Sequence, residues 1–327
     1  MGQQVMNPAD PVKSPNTAHD YVFIVGLPRT GTKLLKNILE NSRERECQIT
    51  PENFFLGRFL RKGVRHKMRE LGELSQDHTI DKLVELMYSG ELWGEYWDRL
   101  ASGDLPVERG RLRQDLLDCD RSEKAIYAVL LQAHVELKEN SLLGDKTGPH
   151  LYRVPTLLEW FPDAKIVHTF RDPRAVMASE HKKRVRQAER LVTEAREARR
   201  SLRAVLYWWR ARCVGVVSVV YVAFAWSWAA RLDRKYKRLY PKNYYLSQYE
   251  DLVNHPEASA AKICEFLEIE FQDGMLEPPQ VDSSFGQQAS TGFNKAGLER
   301  WKAYLRPWML AVNWVFGGRL LKRFGYR

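Results

Sequence analysis

The stretch YVFIVGLPRTGTK, residues 21–33 of a chain of 327, decides the fold. Its first half, YVFIV, is a continuous apolar run rich in β-branched and aromatic residues, which is typical of a parallel strand buried on both faces. Its second half is a turn with two glycines, and from Thr32 onward apolar residues recur at helical spacing. These residues predict a strand, a turn and a helix, in which backbone N–H groups and the helix N-terminus converge on an anion.

The alternation of strands and helices continues along the chain. Further strands are predicted at residues 47–50, 164–170 (AKIVHTF) and 244–252 (YYLSQYEDL), and helices at 151–161 and 256–269. LLGDKTGPH, residues 142–150, is interpreted as a turn. The pattern indicates an α/β fold: a single domain with a central, mainly parallel β-sheet flanked by helices, P-loop-like and with helical insertions. Ligands bind at the carboxyl ends of such strands, here at the turns after Val25, Thr50 and Phe170.

The composition predicts one large folded domain after a short tail. Residues 1–20 lack the apolar segment of a secretory signal and are predicted to be flexible, and residues 21–327 are predicted to form the domain. Within the domain we predict a helical insertion at about 54–140 and a basic helix at about 181–212. The four cysteines are far apart and form no CxxC pair, which argues against a zinc knuckle and a disulfide framework and favours a reducing, cytoplasmic location.

Most of the net charge of +10 is concentrated in residues 181–212, which contain eleven Lys or Arg against three Glu. This segment is interpreted either as a solvated helix with Glu–Arg pairs or as a docking face for an acidic substrate or lipid headgroups. Residues 213–230 follow without a charge and are close to the minimum length of a membrane span. Because a later strand has to join the sheet, we predict a buried helix, with shallow, peripheral membrane contact as the alternative. A further alternative is that the chain is a non-catalytic protein, which binds anionic lipid or glycan through these two segments.

GLPRTGTK resembles the beginning of the nucleotide-binding pattern GxxxxGK[ST] but departs from it at the end. Thr32 precedes Lys33, whereas in an NTPase the lysine directly follows the glycine and the next hydroxyl holds magnesium. None of the predicted strands ends in a lone aspartate either, because Asp172 lies between Arg171 and Pro173. A P-loop kinase or NTPase is therefore an alternative and not the first prediction.

A second turn suited to anions follows the strand AKIVHTF. Arg171, Asp172, Pro173 and Arg174 form this turn, and Ser179 lies one to two helical turns later. A nucleoside triphosphate needs one site of this kind, whereas a nucleotide with phosphate on both its 5′ and its 3′ side needs two. Two such turns on one sheet therefore favour the second class of nucleotide.

The two turns resemble the donor-binding motifs of the sulfotransferases that use 3′-phosphoadenosine 5′-phosphosulfate (PAPS). GLPRTGTKLL is similar to the 5′-phosphosulfate loop of the tyrosylprotein and bacterial members, and FPDAKIVHTFRDPRAVMAS is similar to the 3′-phosphate motif. DKTGPH, QYEDLVNHPEASAAKICEFLEI and the terminal FGY also resemble family segments, so the likeness covers most of residues 21–327. Two features depart from the family pattern: Lys33 replaces a frequent threonine, and the basic segment resembles an insertion.

The resemblance implies transfer of the sulfuryl group from PAPS to a hydroxyl acceptor by in-line displacement, without a metal and with adenosine 3′,5′-bisphosphate (PAP) as the product. The acceptor classes are carbohydrate, lipid, phenol and peptide, and no nucleic acid is expected as a partner. The resemblance assigns donor binding to Pro28, Arg29, Thr30, Gly31, Thr32, Lys33, Arg171, Ser179, Ser290 and Lys295. Arg29 is also expected to meet the negative charge of the transition state.

The resemblance also assigns catalytic groups. Glu52, which follows the second predicted strand, is the first choice for the base, and the alternative is an ordinary helix start at Pro51 and Glu52. His150 is the rival base, and its alternative is an exposed turn histidine. Lys146 is expected to donate to the bridging or sulfuryl oxygen, against the alternative of a surface salt bridge with Asp145.

An aromatic cluster in the helical insertion has two interpretations. Trp93, Tyr96 and Trp97 recur at helical spacing. They either line an acceptor pocket or belong to the core, and aromatic residues in this pattern are more often core.

Overall fold

The sheet contains five parallel strands, and the first strand of the chain is its central one. The computed structural model describes residues 21–41, 47–57, 63–133, 142–197, 201–278, 293 and 295–326. The strands are β1 (Tyr21–Gly26), β2 (Cys47–Thr50), β3 (Leu142–Asp145), β4 (Lys165–Phe170) and β5 (Tyr244–Gln248), in the order β2-β3-β1-β4-β5. Every pairing is parallel. Because the chain proceeds from β1 first to one side of it and later to the other, the carboxyl ends of β1 and β4 form the topological switch point where ligands bind.

β3 is a strand where the sequence predicts a turn. Leu142–Asp145 lies between β1 and β2, with Thr50 of β2 opposite Asp145. Its four residues include a glycine and an aspartate, and such a sequence is typical of a turn. Pairing on both edges overrides that preference, and the packing is close: a Cβ added at Gly144 would lie 2.6 Å from the carbonyl oxygen of Val22. The predicted turn at 142–145 is therefore wrong.

Thirteen α-helices surround the sheet within the described residues. They are α1 (Thr32–Glu40), α2 (Val64–Leu71), α3 (Asp77–Tyr88), α4 (Glu95–Ser102), α5 (Arg109–Asp118), α6 (Glu123–Gln132), α7 (Val154–Trp160), α8 (Pro173–Glu197), α9 (Ser201–Leu239), α10 (Tyr249–Asn254), α11 (Pro256–Leu267), α12 (Arg300–Tyr304) and α13 (Pro307–Arg323). Short 3₁₀ helices occupy Gly148–Arg153, Asp273–Leu276 and Lys295–Gly297. Helices α2 to α6 lie in the region where the sequence predicts a helical insertion, and the domain boundaries stay a prediction.

Both faces of the sheet are buried, as the apolar run of β1 predicts. Val22 and Ile24 belong to the core that includes side chains of α1 and α11, whereas Phe23 and Val25 belong to the core that includes side chains of α4, α6 and α7. All four side chains are fully buried. Burial of each one stabilises the fold by about 1.5–3 kcal/mol. The sheet thus holds the loops at its carboxyl edge on a rigid base.

The aromatic cluster of the insertion divides between core and surface. Tyr96 and Trp97 of α4 are fully buried, and the indole N–H of Trp97 donates to the carbonyl oxygen of Asn53. Trp93 is 52% exposed and stacks on the ring of Phe54 at a centroid distance of 4.4 Å. The core interpretation is therefore correct for two of the three residues, and Trp93 lies at the surface.

The basic segment 181–212 is shared by two helices. α8 continues from Pro173, directly after β4, to Glu197, and α9 begins at Ser201 and packs against α8. His181 of α8 lies against α9 at Gly215, where an added Cβ would be 3.1 Å from the imidazole Nε2. The structure therefore has two packed helices, Pro173–Glu197 and Ser201–Leu239, where the sequence predicts a single basic helix at about 181–212.

α9 is the one described helix that is long and apolar enough, by length and composition, to cross a membrane, over Cys213–Leu239. Of its most apolar window, 56% is buried inside the protein. Trp226, Ala229 and Ala230 are fully buried, and Gly317 of α13 packs against the indole of Trp226. This burial favours a core helix over a membrane span.

Candidate functional site

The loop between β1 and α1 is shaped to approach an anion with its backbone. Gly26, Arg29 and Gly31 all have positive φ angles, of 153°, 73° and 99°. A Cβ added at Gly31 would lie 2.4 Å from Cδ2 of Tyr249, so only glycine fits there. α1 has no side-chain cap at its N-terminus and no acidic residue in its first turn. Its first N–H groups therefore point at the loop without a competing carboxylate.

The side chains of this loop have distinct positions. The hydroxyl of Thr30 is buried, donates to the carbonyl oxygen of Leu27 at 2.7 Å and lies 2.8 Å from Oγ1 of Thr169 in β4. Thr30 thus fixes the loop on the sheet. Pro28 and Lys33 are exposed, and Gly31 and Thr32 are half-buried.

Arg171, at the end of β4, is held on several sides. Its guanidinium lies 4.1 Å from the ring centroid of Tyr249, in the geometry of a cation–π contact. Nη1 donates to the carbonyl oxygen of Arg29 at 3.2 Å, and Nη2 donates to that of Gly297 at 3.1 Å. The remaining Nε is buried without a hydrogen-bond partner. Since buried donors are normally satisfied, this atom is a donor that an acceptor from a ligand would satisfy.

Arg29 connects the first turn to the second. Its Nε donates to the hydroxyl of Ser179 on α8 at 2.9 Å. Burial lowers the pKa of the Arg29 guanidinium from its ordinary value, Glu180 raises it, and the positive charge of Arg171 lowers it further. The structure therefore brings Arg29, Arg171 and Ser179 together, and the two guanidinium groups repel each other across a short distance. A bound anion would relieve that repulsion.

Arg174, the other arginine of the second turn, is already paired. It binds the carboxylate of Asp172 through Nε and Nη2, the latter at 2.8 Å, and stacks on Trp301. The backbone N–H of Asp172 donates to Glu250, whose second carboxylate oxygen accepts from the hydroxyl of Tyr326. Burial raises the pKa of the Glu250 carboxyl, while these hydrogen bonds lower it. This network braces the turn, which leaves Arg171 as the arginine for a ligand.

Glu52 and Lys146 meet at the carboxyl ends of β2 and β3. Lys146 is buried, and its Nζ lies 3.7 Å from Oε1 of Glu52 and 3.8 Å from Oε2 of Glu95. The pairing of β2 with β3 brings the two residues to one edge, since Thr50 lies opposite Asp145. Glu52 is partly exposed, with 34% of its side chain accessible. The alternative of a surface salt bridge between Lys146 and Asp145 is wrong, because neither residue is at the surface.

His150 belongs to a buried network and not to the surface. Its Nδ1 lies 2.8 Å from Oδ2 of Asp145, and its Nε2 accepts from the backbone N–H of Leu56 at 3.3 Å. The hydroxyls of Tyr127 and Thr147 also donate to the Asp145 carboxylate, at 2.9 and 2.7 Å. The alternative of an exposed turn histidine is therefore wrong. Both imidazole nitrogens have neighbours, which leaves no free nitrogen to meet an acceptor hydroxyl.

Lys36 is a further candidate site residue, which the sequence reasoning missed. Burial lowers the pKa of its ammonium group, Glu40 raises it, Lys146 lowers it and Glu95 raises it. Lys36 on α1 therefore lies within electrostatic range of the Lys146 group. The sequence signal that could have identified Lys36 is its position four residues from both Thr32 and Glu40, because residues four apart share one side of a helix.

The C-terminal candidates are only partly described. Ser290 lies outside the described residues. Lys295 begins the 3₁₀ helix Lys295–Gly297 and its side chain is exposed. Because the carbonyl oxygen of Gly297 accepts from Arg171, this short helix lies against the second turn. Among the residues that the structure describes, no group of three or more His, Cys, Asp or Glu could hold a metal, and independence from metals stays a prediction.

Comparison with known proteins identifies the family. A sequence model of the Sulfotransferase family matches residues 21–273, well over half of the chain. The chain belongs to the sulfotransferase family. The predicted family and the α/β fold class are thereby confirmed, and the P-loop kinase and the non-catalytic alternatives are not favoured.

Individual relatives are distant. The omega-hydroxy-beta-dihydromenaquinone-9 sulfotransferases Stf3 of Mycobacterium bovis and Mycobacterium tuberculosis are each 23% identical over 270 residues, 75% of this chain and 62% of theirs. The chain thus spans less than two thirds of these curated relatives. The solved structure of a sulfotransferase domain from the curacin biosynthetic pathway is 18% identical, with a TM-score of 0.51 over 91% of this chain and 96% of that one. This likeness shows the sulfotransferase fold.

Proposed function

We propose that the chain transfers the sulfuryl group of PAPS to a hydroxyl acceptor. The observation that carries the proposal is the contact between the two turns: Arg171 donates to the backbone of Arg29, and the side chain of Arg29 reaches Ser179. The turns resemble the 5′-phosphosulfate and 3′-phosphate motifs, and their contact suits one nucleotide that carries anions at both ends.

The donor site fits this chemistry residue by residue. The uncapped N-terminus of α1 and the loop around Gly31 offer N–H groups to the 5′-phosphosulfate, with Arg29, Thr32 and Lys33 as side-chain partners. Arg171 and Ser179 hold the 3′-phosphate through a guanidinium and a hydroxyl. When bound, PAPS supplies the sulfuryl group, to whose sulfur the acceptor oxygen bonds in line as the bond between that sulfur and the 5′-phosphate oxygen breaks and PAP leaves.

Glu52 is the proposed base. It is partly exposed, whereas the rival His150 is fully buried, with Nδ1 against the Asp145 carboxylate and Nε2 accepting from Leu56. The Glu52 carboxylate takes the proton of the acceptor hydroxyl, and the ammonium of Lys146 beside it faces the charge that develops on oxygen. Arg29 meets the same negative charge from the loop.

An apolar, hydroxylated acceptor fits the surface next to Glu52. Trp93 and Phe54 stack there, and the backbone N–H of Tyr96 donates to the carbonyl oxygen of Glu52 at 3.1 Å. The name of the mycobacterial relatives describes a hydroxylated menaquinone as their acceptor. Among carbohydrate, lipid, phenol and peptide acceptors, lipid and phenol match the exposed ring of Trp93 best. The cytoplasmic location stays a prediction.

The test is turnover with PAPS that carries a labelled sulfuryl group. We expect label to move to at least one hydroxylated lipid or phenol, without added magnesium, and Trp93→Ser to raise KM for that acceptor without weakening PAP binding. If no acceptor class is labelled while the chain binds ATP only with magnesium and ignores PAP, the proposed function is wrong.

A further inference from the structure

An exposed apolar face lies along α9 between its two neighbours. Its side chains, which are 38–63% exposed, are Val216, Val217, Val220, Phe224 and Trp228. At 100° per residue these five positions fall within an arc of about 120° on the helix. On one side α8 covers the helix, with the guanidinium of Arg184 over the ring of Tyr221, and on the other Ser227 donates to the carbonyl oxygen of Phe316 in α13. Soluble proteins rarely leave a contiguous apolar patch uncovered without a binding role.

The same face becomes basic toward the C-terminal end of α9. Arg231, Arg234, Lys235 and Arg238 continue the helical spacing after Trp228, and all four are exposed. Asp233 is the one acidic residue between 213 and 239. It is buried on the opposite side of the helix, with Lys237 3.2 Å away. The face is thus apolar for four turns and cationic for two, without a carboxylate.

α13 adds to this surface. It packs along α9, and its Phe316 ring lies 6.4 Å from that of Phe224. The neighbouring Trp308, Trp314 and Val315 are 39%, 69% and 72% exposed. Exposed tryptophans beside basic residues are typical of segments that lie at a membrane–water interface.

We propose that this α9 face, Val216–Trp228 with the basic residues 231–238, docks on the surface of an anionic lipid bilayer. The apolar side chains enter the boundary between headgroups and acyl chains, and the arginines and lysine contact lipid phosphates. A second copy of the chain would place like charges or apolar groups against the basic end, since the face has no acidic residue. The burial of α9 against α8 and α13 argues against a helix that crosses the membrane.

A hydrogen bond joins α9, the helix that carries the docking face, to the donor site. Trp226, on the buried side of α9, donates its indole N–H to the carbonyl oxygen of Arg171 at 2.9 Å. The helix that lies on the membrane therefore also supports the second anion turn. A hydroxylated acceptor carried by the bilayer would be close to the enzyme that modifies it, although the docking itself does not depend on the proposed function.

The test is sedimentation of the full chain with vesicles in the absence of nucleotide. We expect binding to phosphatidylcholine vesicles that contain about a third phosphatidylglycerol, weaker binding to pure phosphatidylcholine, and release at high salt. Trp228→Ser lowers the partition coefficient at least fivefold. Arg231→Glu with Arg238→Glu lowers it at least tenfold, about fivefold being expected for each basic residue, and Lys82→Glu on α3 does not.

Three results would overturn the proposal. The first is equal binding to neutral and anionic vesicles or none at all, and the second is an equal loss in the α9 variants and their control. The third is a dimer in sedimentation velocity that Trp228→Ser dissociates, which would make a second copy the occupant. If the charge-reversal variant retains PAP binding, it is folded, and its loss of vesicle binding then results from the changed surface charge.

Discussion

Arg29 connects the two turns proposed to bind the donor, through its carbonyl oxygen to Arg171 and through its Nε to Ser179. The sequence predicted each of these residues from a motif, but neither motif contains the information that the three side chains meet. Their meeting depends on the parallel pairing of β1 with β4, in which Gly26 lies opposite Thr169. Local patterns identify residue types, and the sheet register determines their distances.

Glu52→Gln tests the assignment of the base at the residue scale. The change preserves side-chain volume but removes the group that takes the acceptor proton, so we expect kcat to fall roughly 10²–10⁴-fold. We expect the PAP affinity to stay within about twofold of the wild type, which is roughly the precision of a titration, because no donor contact is lost. Glu85→Gln, an exposed glutamate of α3, is the control. Full activity of Glu52→Gln would assign the base to another residue.

His168 predicts a pH dependence of stability. This residue of β4 is fully buried, which lowers the pKa of its imidazole to about 3, with a smaller effect from Lys237. In the unfolded chain the imidazole takes up a proton below its ordinary pKa of about 6.5, whereas in the folded chain it does not. The free energy of unfolding that depends on His168 is therefore fully present above that pH and falls as the pH drops toward 3, by about 1.4 kcal/mol per pH unit at most.

Urea unfolding at pH 7 and pH 5.5 measures this effect. The free energy of unfolding of the wild type should fall by about 1 kcal/mol more than that of His168→Gln over this interval. Equal losses in both proteins would show that His168 titrates alike in the folded and unfolded states.

At the scale of elements, β1 and β4 were predictable and β3 was not, and the predicted strand at 244–252 is wrong beyond Gln248, where α10 begins. YVFIVG and KIVHTF are continuous apolar runs, so their burial on both faces follows from composition. LLGD has only two apolar residues, and it is a strand because β1 and β2 flank it on both sides. A preference for strand structure that arises from pairing with two neighbouring strands cannot be detected in the four residues themselves.

Gly31→Ala tests the close contact between the phosphate loop and α10. The substitution forces a side chain into a positive φ of 99° and within 2.4 Å of Tyr249, the residue that stacks on Arg171. We expect PAP affinity to fall at least tenfold, about 1.4 kcal/mol, because the loop and Arg171 both shift.

Gly103→Ala is a matched control. Gly103 also has a positive φ, of 83°, but an added Cβ meets nothing within 4 Å. It should cost about 1–2 kcal/mol of stability from backbone strain and leave PAP affinity unchanged. If both variants bind PAP like the wild type, the loop does not approach the nucleotide as proposed.

At the scale of the whole molecule, the charge and apolarity of residues 181–230 could be predicted, but their arrangement could not. The sequence shows a basic run followed by an apolar run. The structure divides the basic run between α8 and α9 and covers part of the apolar run with α13. Which face of α9 stays exposed depends on how these helices pack, and this packing is a property of the complete fold.

The central claim is that the two turns hold opposite ends of one nucleotide, and calorimetry with two ligands tests it most directly. PAP carries both phosphates, whereas adenosine 5′-monophosphate lacks the 3′-phosphate. The wild type should bind PAP more tightly, and Arg171→Ala should weaken PAP binding by about 1.5–3 kcal/mol, roughly 10- to 150-fold. The same variant should bind the monophosphate like the wild type, and Arg113→Ala on α5 should change neither affinity. Equal weakening of both ligands, or no change in PAP affinity, would contradict the account.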